Sequence, residues 1–325
     1  MGLRAYVARR SVELAISLIL FMALMFYVFR LMPGDPTALL IEETTFTSEM
    51  REQLRRMWGL DKPLHEQFVI FMKNLLKGEL GVSFIYQKPV ADLIFSRKML
   101  NTLALLVASH GMALTLGMVL GVWAAWRRGR VIDIASLVSA LVLHTIPVFW
   151  LGLIFLLLFA VHNKWFPLSG TITPARDYAN VLSYMADYLW HLALPAATIT
   201  LIRLGADFLI MRNTMVSVIR EDYVSAAIAK GLPEKIVVWK HAARNAMLPI
   251  VTLAGLDMAT VVSGAVLTES VFSWDGIGRL LYEAAVFRDY PVLQGLFFVI
   301  TLVVLLANFF TDLMYAYLDP RVRYD

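Results

Sequence analysis

Apolar residues along this chain gather into six long runs, at residues 14–31, 100–126, 134–161, 192–209, 250–271 and 293–318. A helix needs about 20 mostly apolar residues to cross the hydrocarbon core of a bilayer. Each run therefore predicts a transmembrane helix. The alternating short segments of a membrane β-barrel are not the pattern here. The fourth run is the least apolar, because it carries His191, Pro195, Arg203 and Asp207. The first run is longer than the apolar part of a cleaved leader. Met32-Pro33-Gly34-Asp35-Pro36 follows it without a small-x-small cleavage site, so it is read as a retained helix.

Two polar stretches also have a helical period. In residues 33–98, Ser48 is placed to cap a helix with Met50, Leu54 and Met57 on one face, stopped near Gly59. A second helix begins at Pro63, and Leu64, Phe68, Phe71, Met72 and Leu75 form its stripe up to Gly78. Stripes of this kind serve as packing faces, here against the membrane domain or an external partner. In residues 212–248, Tyr223, Ala226, Ala227 and Lys230 fall at helical spacing. Gly231-Leu232-Pro233 then breaks the helix, and a second helix is expected over 234–246. This helix-break-helix excursion is either a basic connecting loop or a docking element with small residues at its tip.

Charge gives these stretches sides. Lys and Arg concentrate at the N-terminus (Arg4, Arg9, Arg10), after the second run (Arg127, Arg128, Arg130), after the fourth (Arg212, Arg220, Lys230, Lys235, Lys240, Arg244) and at the C-terminus (Arg321, Arg323). The loops after the third and fifth runs hold only Lys164 with Arg176, and Arg279 with Arg288. By the positive-inside rule, both termini and residues 212–248 are cytoplasmic and residues 33–98 lie outside. The composition fits: 59% hydrophobic and 17% charged, against about 25% charged in soluble domains. The absence of cysteine excludes disulfides, thiolate metal sites and a Cys nucleophile.

The loop residues also carry a resemblance. Asp222-Tyr223-Val224-Ser225-Ala226-Ala227-Ile228-Ala229-Lys230-Gly231-Leu232, followed by His241-Ala242-Ala243-Arg244-Asn245-Ala246-Met247-Leu248-Pro249, resembles the EAA loop of type I ABC importer permeases, in particular the oligopeptide/dipeptide (peptide/oligosaccharide/nickel) branch. Further motifs resemble that branch along nearly the whole chain. They include Trp58-Gly59-Leu60-Asp61-Lys62-Pro63-Leu64, Gly78-Glu79-Leu80-Gly81-Val82-Ser83 and Ile146-Pro147-Val148-Phe149-Trp150. Phe272-Ser273-Trp274, Gly276-Ile277-Gly278-Arg279-Leu280, Arg288-Asp289-Tyr290-Pro291 and Leu318-Asp319-Pro320-Arg321 follow in order. Ser225 stands where the broader pattern has an acid, and Asp275 where proline is usual.

The resemblance implies an all-α polytopic membrane protein with six transmembrane helices and the type I permease fold. Its expected organisation is 1–32 as N-terminus and first helix, 33–98 as an extracytoplasmic helical segment, 99–318 as a five-helix domain with the coupling loop at 212–248, and 319–325 as a cytoplasmic tail. It implies a non-catalytic subunit in the cytoplasmic (inner) membrane of a prokaryote, forming half of a translocation pathway. The implied partners are a second, similar permease, favouring a heterodimer, two cytoplasmic ATPases carrying ATP and Mg²⁺, and an extracytoplasmic substrate-binding protein. The bilayer completes the set, with no nucleic acid. Asp222, Tyr223, Ala226, Ala227, Lys230, Gly231, Leu232, Arg244, Asn245 and Pro249 are the implied ATPase-coupling residues.

The remaining candidates are weaker. No phosphate-binding G-x-x-x-x-G-K-[ST] loop occurs, and His65-Glu66 lacks a second His because Val69 stands there. No metal or catalytic set emerges, and no cofactor is expected on this chain. Gly117 and Gly121 form a GxxxG pair, while Gly255, Ala259 and Ser263 form a small-residue stripe in the fifth run. Such stripes pack helices within the subunit or line the pore. His110, His144, Asp207 and Asp257 sit at membrane depth. Asp207 is one turn from Arg203 and suits a structural pair. Asp257, Ser263 and His144 are candidates for the translocation path, with buried structural contact the alternative for Asp257. An ion-coupled secondary transporter is the competing class, but its two halves would carry repeats, and none is visible.

Overall fold

A computed structural model describes residues 3–31, 62–247, 249–250 and 265–318. Helices dominate: α1 (Leu3–Leu31), α2 (Leu64–Leu76), α3 (Val90–Ile94), α4 (Arg97–Trp126), α5 (Val131–Thr145), α6 (Val148–Phe155), α7 (Val181–Val218), α8 (Asp222–Ala229), α9 (Glu234–Ile236), α10 (Ile277–Val286) and α11 (Tyr290–Leu318). α6 runs on as a π-helix over Leu156–His162, and α9 as one over Val237–Ala243. Among the described residues the only β pairing is an isolated bridge between Val82 and Pro89.

Long apolar runs form these helices because lipid offers no partner to backbone N–H and C=O groups. Among the described residues four helical stretches are long and apolar enough to cross a bilayer: Ala5–Arg30, Val90–Trp126, Val181–Val218 and Tyr290–Phe309. The run expected as one span over 134–161 is two helices, Val131–Thr145 and Val148–His162, bent by 100°. Proline is the cause. Its ring disfavours helical angles in the preceding residue, and Ile146 is extended with ψ 129°. Two arms of about 22 Å at that bend still reach about 29 Å end to end, near the thickness of a hydrocarbon core. The bent pair therefore suffices as one crossing. Of the fifth expected helix, over 250–271, residues 251–264 lie outside the described residues, and residues 265–271 are helical.

The chain forms two compact units, Met1–Met99 with Leu280–Asp325, and Leu100–Arg279. In the first, α1 and α11 lie antiparallel. Arg10 meets Asp312 at 3.4 Å near one end, and Phe29 lies 5.9 Å from Tyr290 and from Phe297 near the other. The start of α1 and the end of α11 are thus on the same side. The apolar stripe of α2 packs on α1, with Phe68 and Phe71 at 5.3 and 5.4 Å from the buried Phe26 ring.

In the second unit α4 and α7 run parallel in close contact. A Cβ at Gly117 would come within 2.7 Å of Asp207 Cβ, and one at Gly121 within 2.7 Å of Met211 Cβ. The GxxxG pair is thus a packing device inside the subunit. Parallel neighbours demand a return crossing between them, which α5 and α6 supply. α7 explains how its polar residues are tolerated. Over half of its best apolar window (56%) is buried, against 17% for α1. His191, Pro195 and Asp207 are all on buried positions.

Candidate functional site

Residues 222–247 fold as the sequence pattern predicts, as a helix, a break and a second helix. α8 ends at Lys230, and Gly231 takes the left-handed conformation at φ +72°. The Gly231 N–H donates to the Ile228 carbonyl at 2.9 Å, and the Leu232 N–H to the Ala227 carbonyl at 3.4 Å. Glycine is the residue that adopts this helix-ending conformation without steric penalty. Pro233 then starts α9, its missing N–H being one that a first turn leaves unpaired anyway.

The excursion has two faces. Its inner face is a spine of Val224, Ala227, Val237, Val238, Ala242, Ala243 and Ala246, all buried. This spine packs on Val122 and Ala125 near the end of α4 and on Met211 and Met215 near the end of α7. The Trp126 indole N–H also donates to the Glu234 carboxylate, tying α4 to α9. Of the ten expected coupling residues, Ala227 belongs to this spine, so its small side chain serves internal packing. Asp222, Tyr223, Ala226, Lys230, Gly231, Leu232, Arg244, Asn245 and Pro249 are exposed. The Asn245 amide donates to the Tyr223 hydroxyl at 2.8 Å, joining the two halves. Ile228, Ile236 and Trp239 add exposed apolar surface that the sequence reading did not single out.

Four buried carboxylates, also not singled out as site residues, organise the helix ends. Asp133 at the start of α5 receives Arg212 from α7 in a two-pronged pair at 2.7 and 2.8 Å, plus the Gly129 N–H at 3.0 Å. Asp187 near the start of α7 accepts the Thr173 N–H and hydroxyl and the Tyr178 hydroxyl, each at 2.7 Å, and Arg176 at 3.1 Å. Glu269 accepts the Thr102 hydroxyl at 2.6 Å and the Arg279 N–H at 2.9 Å. Gly276 makes room beside it, since a Cβ there would overlap the Glu269 carboxylate. Asn101 completes this cluster. Its side-chain amide donates to the Asp275 backbone carbonyl at 2.7 Å, and its backbone carbonyl accepts the Trp274 indole N–H at 3.0 Å.

In the other unit Asp289 accepts the Ser83 hydroxyl and the N–H groups of Phe84 and Ile85. Two sequence motifs, 78–83 and 288–291, thereby become one structure, and the Tyr86 hydroxyl adds a bond of 2.7 Å to Glu283. The signal was present in the quoted motifs, since an acid between Arg288 and Tyr290 invited a search for donors.

Of the candidate path residues, His144 is exposed on the last turn of α5, just before the bend. Asp257 and Ser263 lie outside the described residues. His110 bonds through Nδ1 with the Leu106 carbonyl at 2.9 Å within its own helix. Among the described residues no group of three or more His, Cys, Asp or Glu is arranged to hold a metal.

The sequence has relatives of known kind. A di/tripeptide transport system permease protein of Pseudomonas aeruginosa is 37% identical over 93% of this chain and 93% of its own length. A dipeptide transport system permease protein of Alkalihalophilus pseudofirmus is 34% identical over 98% of this chain and 99% of its own. The dipeptide transport system permease protein of Escherichia coli is 35% identical over 93% of each. Residues 3–106 match the N-terminal region described for membrane components of binding-protein-dependent transport systems. Residues 117–324 match the main family description. The chain belongs to the family of inner membrane components of binding-protein-dependent transport systems, and is a permease subunit of the ABC-importer class.

Proposed function

We propose that this permease forms half of the path by which short peptides enter a cell, driven by two separate ATPases that dock on residues 222–247. The observation that carries this reading is the two-faced loop. Its buried spine grips the ends of α4 and α7, while nine of ten candidate coupling residues are turned outward. A push on the outer face is transmitted to two transmembrane helices without passing through flexible chain. The Lys and Arg bias places this loop, and both termini, in the cytoplasm. An external binding protein delivers the peptide, and a second, similar permease forms the other half of the path. Peptides are favoured over oligosaccharides or nickel because the relatives above are named for peptides.

The test is ATP-driven uptake of labelled di- and tripeptides by the reconstituted complex, with Gly231→Trp as the diagnostic variant. No atom lies within 4 Å of a Cβ at Gly231, so the indole would project away from the chain into the docking space. It would also strain the turn, by about 1–2 kcal/mol for a side chain in the left-handed region. Uptake and substrate-stimulated hydrolysis should fall together by about 10-fold or more, and the ATPases should wash off more easily. Normal uptake with ATPases retained would remove the loop from the docking role. Oligosaccharide or nickel uptake in place of peptide uptake would correct the substrate alone.

A further inference from the structure

At the ends of α4 and α7 a recess of about 270 Å³ is lined by Ala125, Trp126, Arg128, Val216, Ile219 and Arg220. Its charge is only partly met locally. Arg212 pairs with Asp133, which Arg128 also attracts at longer range, but neither Arg128 nor Arg220 makes an ion pair among the described residues. Two arginines lining one small space offer an anion two positive charges. A guanidinium matches phosphate oxygens with paired N–H donors.

The position favours a lipid over a free ion. The recess lies where two bilayer-crossing helices end, at the level of Trp123 and Trp126, and Trp side chains collect at the membrane interface. Arg127 lies over the Trp123 ring at 4.7 Å, and Glu234 occupies the Trp126 indole N–H. Ala125, Val216 and Ile219 add an apolar wall suited to the glycerol and first acyl carbons. Basic pockets between membrane helices hold anionic headgroups elsewhere. We propose that this recess binds the phosphate headgroup of an anionic phospholipid, held by Arg128 and Arg220. The site depends on the membrane placement of α4 and α7, not on which face is cytoplasmic or on what is transported.

Native mass spectrometry of the purified complex, titrated with dioleoyl-phosphatidylglycerol and dioleoyl-phosphatidylcholine, tests this. Phosphatidylglycerol should bind preferentially. The double variant Arg128→Gln/Arg220→Gln should weaken it by about 30-fold, each cation near a membrane surface counting for about 5-fold. The double Lys variant should stay within about 5-fold of the parent, because it keeps charge and loses only the paired donors. Arg130→Gln, outside the recess, should leave binding unchanged. If the double Gln variant does not assemble, each single variant should show about 5-fold weakening. Unchanged binding, or an equal loss with Arg130→Gln, would overturn the site. Full displacement of the lipid by about 10 mM inorganic phosphate would make it a free-anion site instead. Loss of the ATPases with lipid still bound would assign the two arginines to a protein partner.

Discussion

The two ends of the α4–α7 pair are built on opposite principles. At their starts, polar groups are consumed internally. Asn101 and Thr102 of α4 bond into the Glu269 and Trp274 cluster, Asp187 of α7 takes the loop at 173–178, and the Tyr188 hydroxyl links to Asn101 at 3.1 Å. At their far ends one carboxylate cluster remains, Asp133 with Arg212 and the Gly129 N–H, but the grip on 222–247 is mainly apolar, through small residues and methionines. A buried carboxylate ringed by donors fixes a geometry, because moving it strands several groups at once. An apolar spine holds firmly but lets its other face be shaped for a partner. One end is closed by polar bonds within the chain, and the other keeps an exposed outer face.

That contrast can be broken by mutation. The largest effect should come from Glu269→Ala, which leaves the Thr102 hydroxyl and the Arg279 N–H buried without their acceptor. At about 1–3 kcal/mol per stranded group the loss should be about 4 kcal/mol, read as a collapse in thermal stability in detergent. A melting temperature that hardly moves would show the cluster to be dispensable. Next, Ala227→Leu should overpack the spine at a cost of about 1–3 kcal/mol and loosen the loop. Its neighbour Ala226→Leu should change stability by no more than about 0.5 kcal/mol, yet weaken ATPase retention, because that side chain points outward. Equal behaviour of the two neighbours would erase the two-faced description. Gly231→Ala should cost about 1 kcal/mol through its positive φ alone, separating turn strain from the bulk added by tryptophan. The smallest change is Tyr223→Phe, which removes one exposed hydrogen bond from Asn245 and should cost about 0.5 kcal/mol or less, measured by protease sensitivity of the loop.

Much of this was legible in the sequence. The spans follow from hydropathy, the break follows from Gly231 and Pro233, and the GxxxG pair announced a close helix contact. The 100° bend was not seen, although Pro147 stood within a quoted motif. Hydropathy averages over a window and cannot register one backbone angle at Ile146. The carboxylate clusters were missed for a different reason. Asp133 meets Arg212 across 79 positions and Glu269 meets Thr102 across 167, and no local period encodes such a pairing. Ala226 and Ala227 look alike in sequence. Only the fold assigns one to the exposed face and the other to the interior.

The length of α7 has a mechanical consequence. Thirty-eight residues make a rod of about 57 Å, longer than the hydrocarbon core is thick. Pivoted near its middle, such a rod tilted by about 5° swings each tip by about 2.5 Å in opposite directions. That stroke approaches the width of a water molecule. Held at one end by the apolar spine and tied at the other by the bonds of Asp187, such a rod links the two ends mechanically, so that a tilt imposed at one is felt as strain at the other.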